Sequence, residues 1–382
     1  MRYLPSRLWV VSMLLALSFR SAESATPPAS VPADLFRGEA PEMRMIVVGQ
    51  ALVDLDLRSY AEASFLEARG YLGGADVVFT NLETAVQGRH GGDATKNNIH
   101  AAPPAVLDGL KEMGFNLLAL ANNHIGDLGP EGVLSAVEEV GARGFTFAGA
   151  GANQAAAAAP GFLQTPKGKV ALLAFAAGAL DANGSAGPAR AGVNEIRLGD
   201  NERYRAGDVA RARAAIAEAA KSAEYVMVYL HNHHWGSDPN TTPEWIKAFA
   251  KEAIDSGASI FVTHGIPILH GIEIYKGAPI FYGLGNYIFQ TFSVPGRWFP
   301  NSWDSVVAYC TFEGGRVKSV SLRPIVLREV GDPGPSFNRT RGQPRLAQGD
   351  KARAILHRLA YISAPFGTKL EVAEDKATIV LP

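Results

Sequence analysis

Between residues 43 and 265 short apolar runs alternate with stretches of helical spacing, and this alternation limits the fold more than any other feature of the chain. MRMIVVG (43–49), ADVVFTNLE (75–83), NLLALAN (116–122), FTFAGAG (145–151), KVALLAFAA (169–177), YVMVYLHNHHW (225–235) and SIFVTHG (259–265) read as buried strands. SYAEASFLEARG (59–70), PAVLDGLKEMGF (104–115), a segment opened by Gly129-Pro130, GDVARARAAIAEAAKSA (207–223) and TPEWIKAFAKEAIDSG (242–257) read as helices, the last capped by Thr242. QAAAAAP (154–160) reads as a loop or a helical turn. Strands alternating with helices predict an α/β fold with helices against the sheet faces. Beyond residue 278 the runs APIFYGLGNYIF, SVVAYCTF and KSVSLRPIVL carry little helix between them, so the chain becomes β-rich. KARAILHRLA (351–360) is a late helix, and the last 20 residues read as a short strand or tail.

The first 25 residues read as a signal peptide. Arg2 and Arg7 precede a 12-residue apolar run, Leu8 to Phe19, and Ala22-Glu23-Ser24 offers a cleavage site. An uncleaved anchor is the other reading of this segment. Export places the protein in the periplasm or cell envelope. Residues 26–42 form a proline-rich flexible leader, 43–330 the main domain, and 331–382 a C-terminal extension with one helix. Cys310 is the sole cysteine, so no intramolecular disulfide can form; in VVAYCTF it reads as a small buried hydrophobe. A formal net charge of −1 gives no global field favouring nucleic acid, which is not an expected partner.

In α/β sheets functional groups collect at the carboxyl ends of strands, and the polar clusters of this chain fall there. One strand end carries Asn81 and Glu83. The next carries Asn122, Asn123 and His124, with Asp127 just beyond. A third carries His231, Asn232, His233 and His234, a fourth Thr263 and His264, and the GLGN stretch adds Asn286. Imidazole, carboxylate and amide oxygens together suit zinc, iron or manganese. Each also has a structural reading. Asn122 and Asn123 can cap a turn, a buried histidine can be a bonded core residue, and Asp54 and Asp56 alternate like an exposed face. Strand alternation sends His231 and His233 to one side and His234 to the other. Neither G-x-S-x-G nor a P-loop occurs, which argues against a serine hydrolase of that type and a nucleotide-triphosphate enzyme.

NLET, LANNHIGDLG, HHWG and HGIEIYKGAPIFYGLGNYIFQ resemble the signatures of the bacterial CapA, or poly-γ-glutamate capsule-synthesis, family, which is related to calcineurin-like metallophosphoesterases. The resemblance runs from about Met45 to Ile325. It implies a layered α-β-β-α sandwich with a metal site at the sheet edge. It also implies Glu83, Asn123, His234 and His264 as ligands of one divalent ion and His124 as the group that protonates the leaving atom or orients the substrate; Asp56, or Asp54 in its place, is an added candidate ligand, and Asp127 joins His124 as a catalytic candidate. His231, His233, His270 and Asn286 are further candidates. Two positions depart from the family pattern: Gln50 stands where an aspartate is usual, and Pro267 where a histidine is usual. One ion rather than two matches what remains. The implied function is an exported metal-dependent hydrolase of a phosphoester, or of an anionic polymer or related amide or ester. The alternative is a non-catalytic envelope protein working with polymer-synthesis partners in the membrane.

Overall fold

The computed structural model describes residue 35 and residues 42–58, 63–199 and 203–382. The expected signal peptide and nearly all of the leader lie outside the described residues, as does the start of the helix expected over 59–70. Among the described residues no helix is long and apolar enough to cross a membrane.

Two sheets stack between outer helices, the α-β-β-α layering expected. The first has nine strands, in the order 369–372, 377–380, 316–327, 304–313, 43–47, 77–81, 117–119 and 146–148, with 344–346 beside 316–327. Its strands 43–47, 77–81, 117–119 and 146–148 are parallel, and 304–313 joins 43–47 antiparallel. The second sheet runs 272–275, 278–281, 260–264, 225–232, 168–177 and 161–165, with its four central strands parallel.

Period-two alternation divides the second sheet cleanly. Val170, Leu172 and Ala174, with Met227, Tyr229 and Val262, enter the core shared with Val47, Phe79 and Leu117 of the first sheet. The intervening Ala171, Leu173 and Phe175, with Val226, Val228 and Phe261, pack under the helices Ala206–Ala219 and Glu244–Asp255, against Ile216, Ile246 and Phe249. Each buried valine, leucine, isoleucine, methionine or phenylalanine among them contributes about 1.5–3 kcal/mol relative to exposure. The helices Ala105–Glu112 and Gly129–Ala142 link parallel strands of the first sheet and bury Leu107 and Val133, while Gly349–Ser363 buries Ile355 and reaches the second sheet, its Ser363 Oγ accepting from the Ile272 amide at 3.1 Å.

Three local expectations change. The last residues are neither tail nor single strand. Lys369–Val372 and Ala377–Val380 form a hairpin that extends the first sheet, with Thr378 opposite Ser321. With 344–346, the extension therefore supplies three strands as well as a helix. QAAAA settles as a short helix because the Asn153 side chain accepts from the Ala156 amide, 2.9 Å away. Thr242 does not cap the helix that follows Pro243; its hydroxyl lies 3.1 Å from His270 Nδ1 instead.

Candidate metal centre

The strand 225–232 ends on the shared-core side at Tyr229 and continues the same parity to His231 and His233. Both rings consequently face inward between the sheets. His231 Nε2 lies 3.0 Å from His233 Nε2, and these two nitrogens lie 2.8 and 3.0 Å from Asn123 Oδ1. Glu83 Oε1 is 3.4 Å from His231 Nε2. Glu83, His231 and His233 bring one ligand atom each within 4.8 Å of one another. Four groups thus converge that are chiefly electron-pair donors, and neutral imidazoles, an amide oxygen and a carboxylate around one point suit a divalent cation.

Electrostatics point the same way. Burial, then the neighbouring Asp127 charge, pushes the Glu83 carboxyl well above its ordinary range, with Lys96 opposing. Burial, then nearby histidines, holds His231 well below its usual value and brings His233 to about 4. Both rings are therefore neutral at pH 7, the form that ligates metal. His231 Nδ1 lies 3.1 Å from the Tyr229 hydroxyl, which accepts its proton in the tautomer that frees Nε2. Several nearby polar atoms are buried with no protein partner: Glu83 Oε2, Gln50 Oε1, both ring nitrogens of His264 and both amide atoms of Asn286. Leaving such atoms unpaired costs about 1–3 kcal/mol each, so the residues present fit a bound cation and its surrounding polar ligands.

The other expected ligands sit apart from the four. His264 is level with His231 on the adjacent strand, its ring 5.7 Å from Tyr229 and its pKa lowered by burial to about 3. It belongs to the orphaned shell rather than to the converging set. His234 has the opposite parity, and its ring occupies the space over Gly178, where a Cβ would come within 2.9 Å of Nε2. Gly178 meets this with no side chain and a φ of 79°. Asp56 is spent on Arg58, 2.6 Å away. His270 stacks on Trp235 at 4.8 Å and bonds Thr242. Asn286 pairs in register with Gln50.

Asn122 performs the capping role. Its Oδ1 accepts from the His124 and Ile125 amides at 3.0 and 2.8 Å, while Nδ2 donates to Asn81 and to the Leu82 carbonyl. That turn aims Asn123 at the cluster and His124 at the adjoining cavity. His124 Nδ1 lies 2.8 Å from Asp127 Oδ2, which leaves Nε2 as the free nitrogen. Burial takes His124 below its ordinary pKa, although Asp127 pulls it up. Burial also works against the Asp127 carboxylate, but His124, Lys96 at 2.6 Å and the His100 amide at 2.7 Å keep it below its usual range.

Two site members, Lys96 and His100, are not among the candidates that the sequence offers, and a third, Asp54, enters there only as an alternative to Asp56. Lys96 and His100 lie in an irregular segment with no periodicity to single them out, and Asp54 was read as exposed. Asp54 is buried and lies 2.7 Å from His100 Nδ1, forming a second Asp–His pair. The His100 and His124 rings meet edge to face at 4.7 Å. A cavity of about 360 Å³ joins the parts: Gln50, Glu83, His233, His100 and His124 all line it.

The family model described as bacterial capsule synthesis protein PGA_cap matches residues 44–291. The chain is 29% identical to uncharacterized protein y4sH of Sinorhizobium fredii, over 88% of this chain and 92% of that one. It is 27% identical to the capsule biosynthesis protein CapA of Bacillus anthracis, over 64% of this chain and 58% of that one. It is 28% identical to the PGA biosynthesis protein CapA of Bacillus subtilis, over 64% and 61%. A hypothetical protein from Thermus thermophilus aligns with 74% of this chain and 98% of its own, at 15% identity and a TM-score of 0.43. The 5'-nucleotidase precursor of the same organism aligns with 84% of this chain and 58% of its own, at 14% identity and a TM-score of 0.39. With the family match covering most of the described residues, the chain belongs to the bacterial capsule synthesis protein family PGA_cap.

Proposed function

We propose that the protein is an exported metal-dependent hydrolase of a phosphoester or a related ester or amide. One observation carries this: the donor cluster of Glu83, Asn123, His231 and His233 opens into the same cavity as the His124–Asp127 pair. A divalent ion held by those four residues would supply Lewis acidity and a nucleophile near neutral pH.

The protein's own groups then divide the work. Asp127 fixes the His124 ring through Nδ1, so Nε2 faces the cavity as the base. The neutral ring takes the proton released as water attacks and returns it to the leaving atom. Lys96 neutralises Asp127 and so keeps that carboxylate from competing with the ligand set for the ion. The test is kinetic. His124→Asn should keep the bound metal and lower kcat on a responsive ester by about 10²- to 10⁴-fold. Equal turnover by both proteins on every substrate of a phosphoester, lactone and amide panel would overturn the assignment of His124.

A second reading is that the protein assists capsule-polymer synthesis or export without catalysis, alongside membrane partners. The neutral Gln50, which lines the cavity with an unpartnered Oε1, supports it. So do the capsule-biosynthesis names of the Bacillus relatives. Metal-loaded protein that turns over no member of the panel favours this reading.

A further inference from the structure

A second cavity, of about 600 Å³, opens outward from the first. His100, His124, Thr291, Trp298 and Phe299 line both, so the two meet at the His124 ring. The outer wall comes from residues 292–299, immediately beyond the family-matched stretch that ends at 291. This short segment holds three of the eight exposed large apolar side chains among the described residues: Phe292 at 56%, Val294 at 72% and Phe299 at 51%. Large apolar groups concentrated at the mouth of a polar site mark a binding surface.

The wall is also braced. Trp298 Nε1 donates to Ser293 Oγ at 2.8 Å, and its ring packs on Phe289 at 5.2 Å. The buried Arg341, from the C-terminal extension, donates to the Thr291 and Ser293 carbonyls and lies over Trp303 at 5.4 Å. On the opposite side His100, held by Asp54, stacks parallel to Phe292 with centroids 6.2 Å apart and planes 10° apart. Arg297 supplies the only permanent charge among the lining residues and forms no ion pair with any described residue. A polyanionic chain would need a track of cations, and this cavity offers a single cation, Arg297.

We propose that the outer cavity is the specificity pocket for a low-molecular-weight substrate with a planar aromatic ring and one carboxylate remote from the scissile bond. The ring sits among Phe292, Trp298 and Phe299, and the carboxylate reaches Arg297. This deepens the hydrolase reading and rests on it, since the inner cluster then receives the hydrolysable group. It places selectivity in the segment after residue 291 and in the extension that braces it.

The experiment is calorimetric binding of phenylphosphonate, 4-carboxyphenylphosphonate, propylphosphonate and pentaglutamate to the metal-loaded full chain. Phenylphosphonate should bind about tenfold more tightly than propylphosphonate. The added carboxylate should tighten binding several-fold further, a gain absent in Arg297→Gln. Phe292→Ala/Phe299→Ala, two exposed positions, should erase the aromatic preference and leave metal content unchanged. Equal affinity for phenyl and propyl probes, or tighter binding of pentaglutamate, would overturn the proposal. Because binding is read without turnover, an inert protein that keeps the aromatic preference would sink the hydrolase reading alone, and an active enzyme without the preference would sink the pocket alone.

Discussion

The inner cluster and the outer wall are built on opposite principles. Glu83 and His231 are buried and Asn123 half-buried at or beside strand ends, His231 aimed by alternation along its strand and Asn123 by the turn that Asn122 caps. Phe292, Arg297 and Phe299 stand on an irregular exposed segment, fixed by Arg341 and Trp298 rather than by a ladder. The inner groups are polar atoms short of partners, and the outer ones are apolar surface short of cover. The contrast teaches that the converging donor groups are lodged in the part of the chain shared with the family. The proposed recognition surface is lodged where a loop can vary without disturbing the sheet.

Substitutions can break this division. The largest effect is expected at the proposed catalytic pair: His124→Asn should lose about 10²- to 10⁴-fold in kcat with unchanged metal content, whereas loss of metal instead would merge His124 with the ligand set. Next comes the brace. Arg341→Ala leaves two carbonyls without their donor and should cost about 2–3 kcal/mol in denaturant unfolding. It should also weaken substrate affinity more than kcat, and a pure kcat effect would break the division of labour.

A smaller effect concerns pH. His270, buried against Trp235, has a pKa lowered to about 4 by burial, then by Arg358, while Asp238 opposes. The unfolded chain then binds one more proton at this position than the folded chain between its ordinary 6.5 and about 4. Stability should therefore fall as pH drops through that window, and His270→Gln should remove up to about 1.4 kcal/mol per pH unit of the slope. An unchanged slope in urea titrations at several pH values would show that His270 carries its proton in the fold. The smallest effect is at Asp56, whose partly exposed pair with Arg58 predicts that Asp56→Asn changes stability by less than about 1 kcal/mol. Metal binding by that variant should match wild type.

The order of strands and helices was legible because period-two and period-3.6 patterns are local. Asn122 as a turn cap was legible for the same reason. The placement of His231 and His233 on one side and His234 on the other was likewise present in simple alternation, whereas motif resemblance pointed to the histidine before Trp235-Gly236. Lys96, His100 and the burial of Asp54 were not legible. They depend on where an aperiodic segment, residues 93–100, folds back over strand ends, which only tertiary contact fixes. The terminal hairpin was missed because each of its strands is four residues long and pairs at long range.

The most direct test is metal stoichiometry by elemental analysis of wild type, His231→Ala, His233→Ala and His234→Ala after reconstitution and dialysis. The account predicts about one equivalent of a divalent transition metal in wild type and in His234→Ala, and loss of it in the other two. Retention in both His231→Ala and His233→Ala, with loss in His234→Ala, would contradict it.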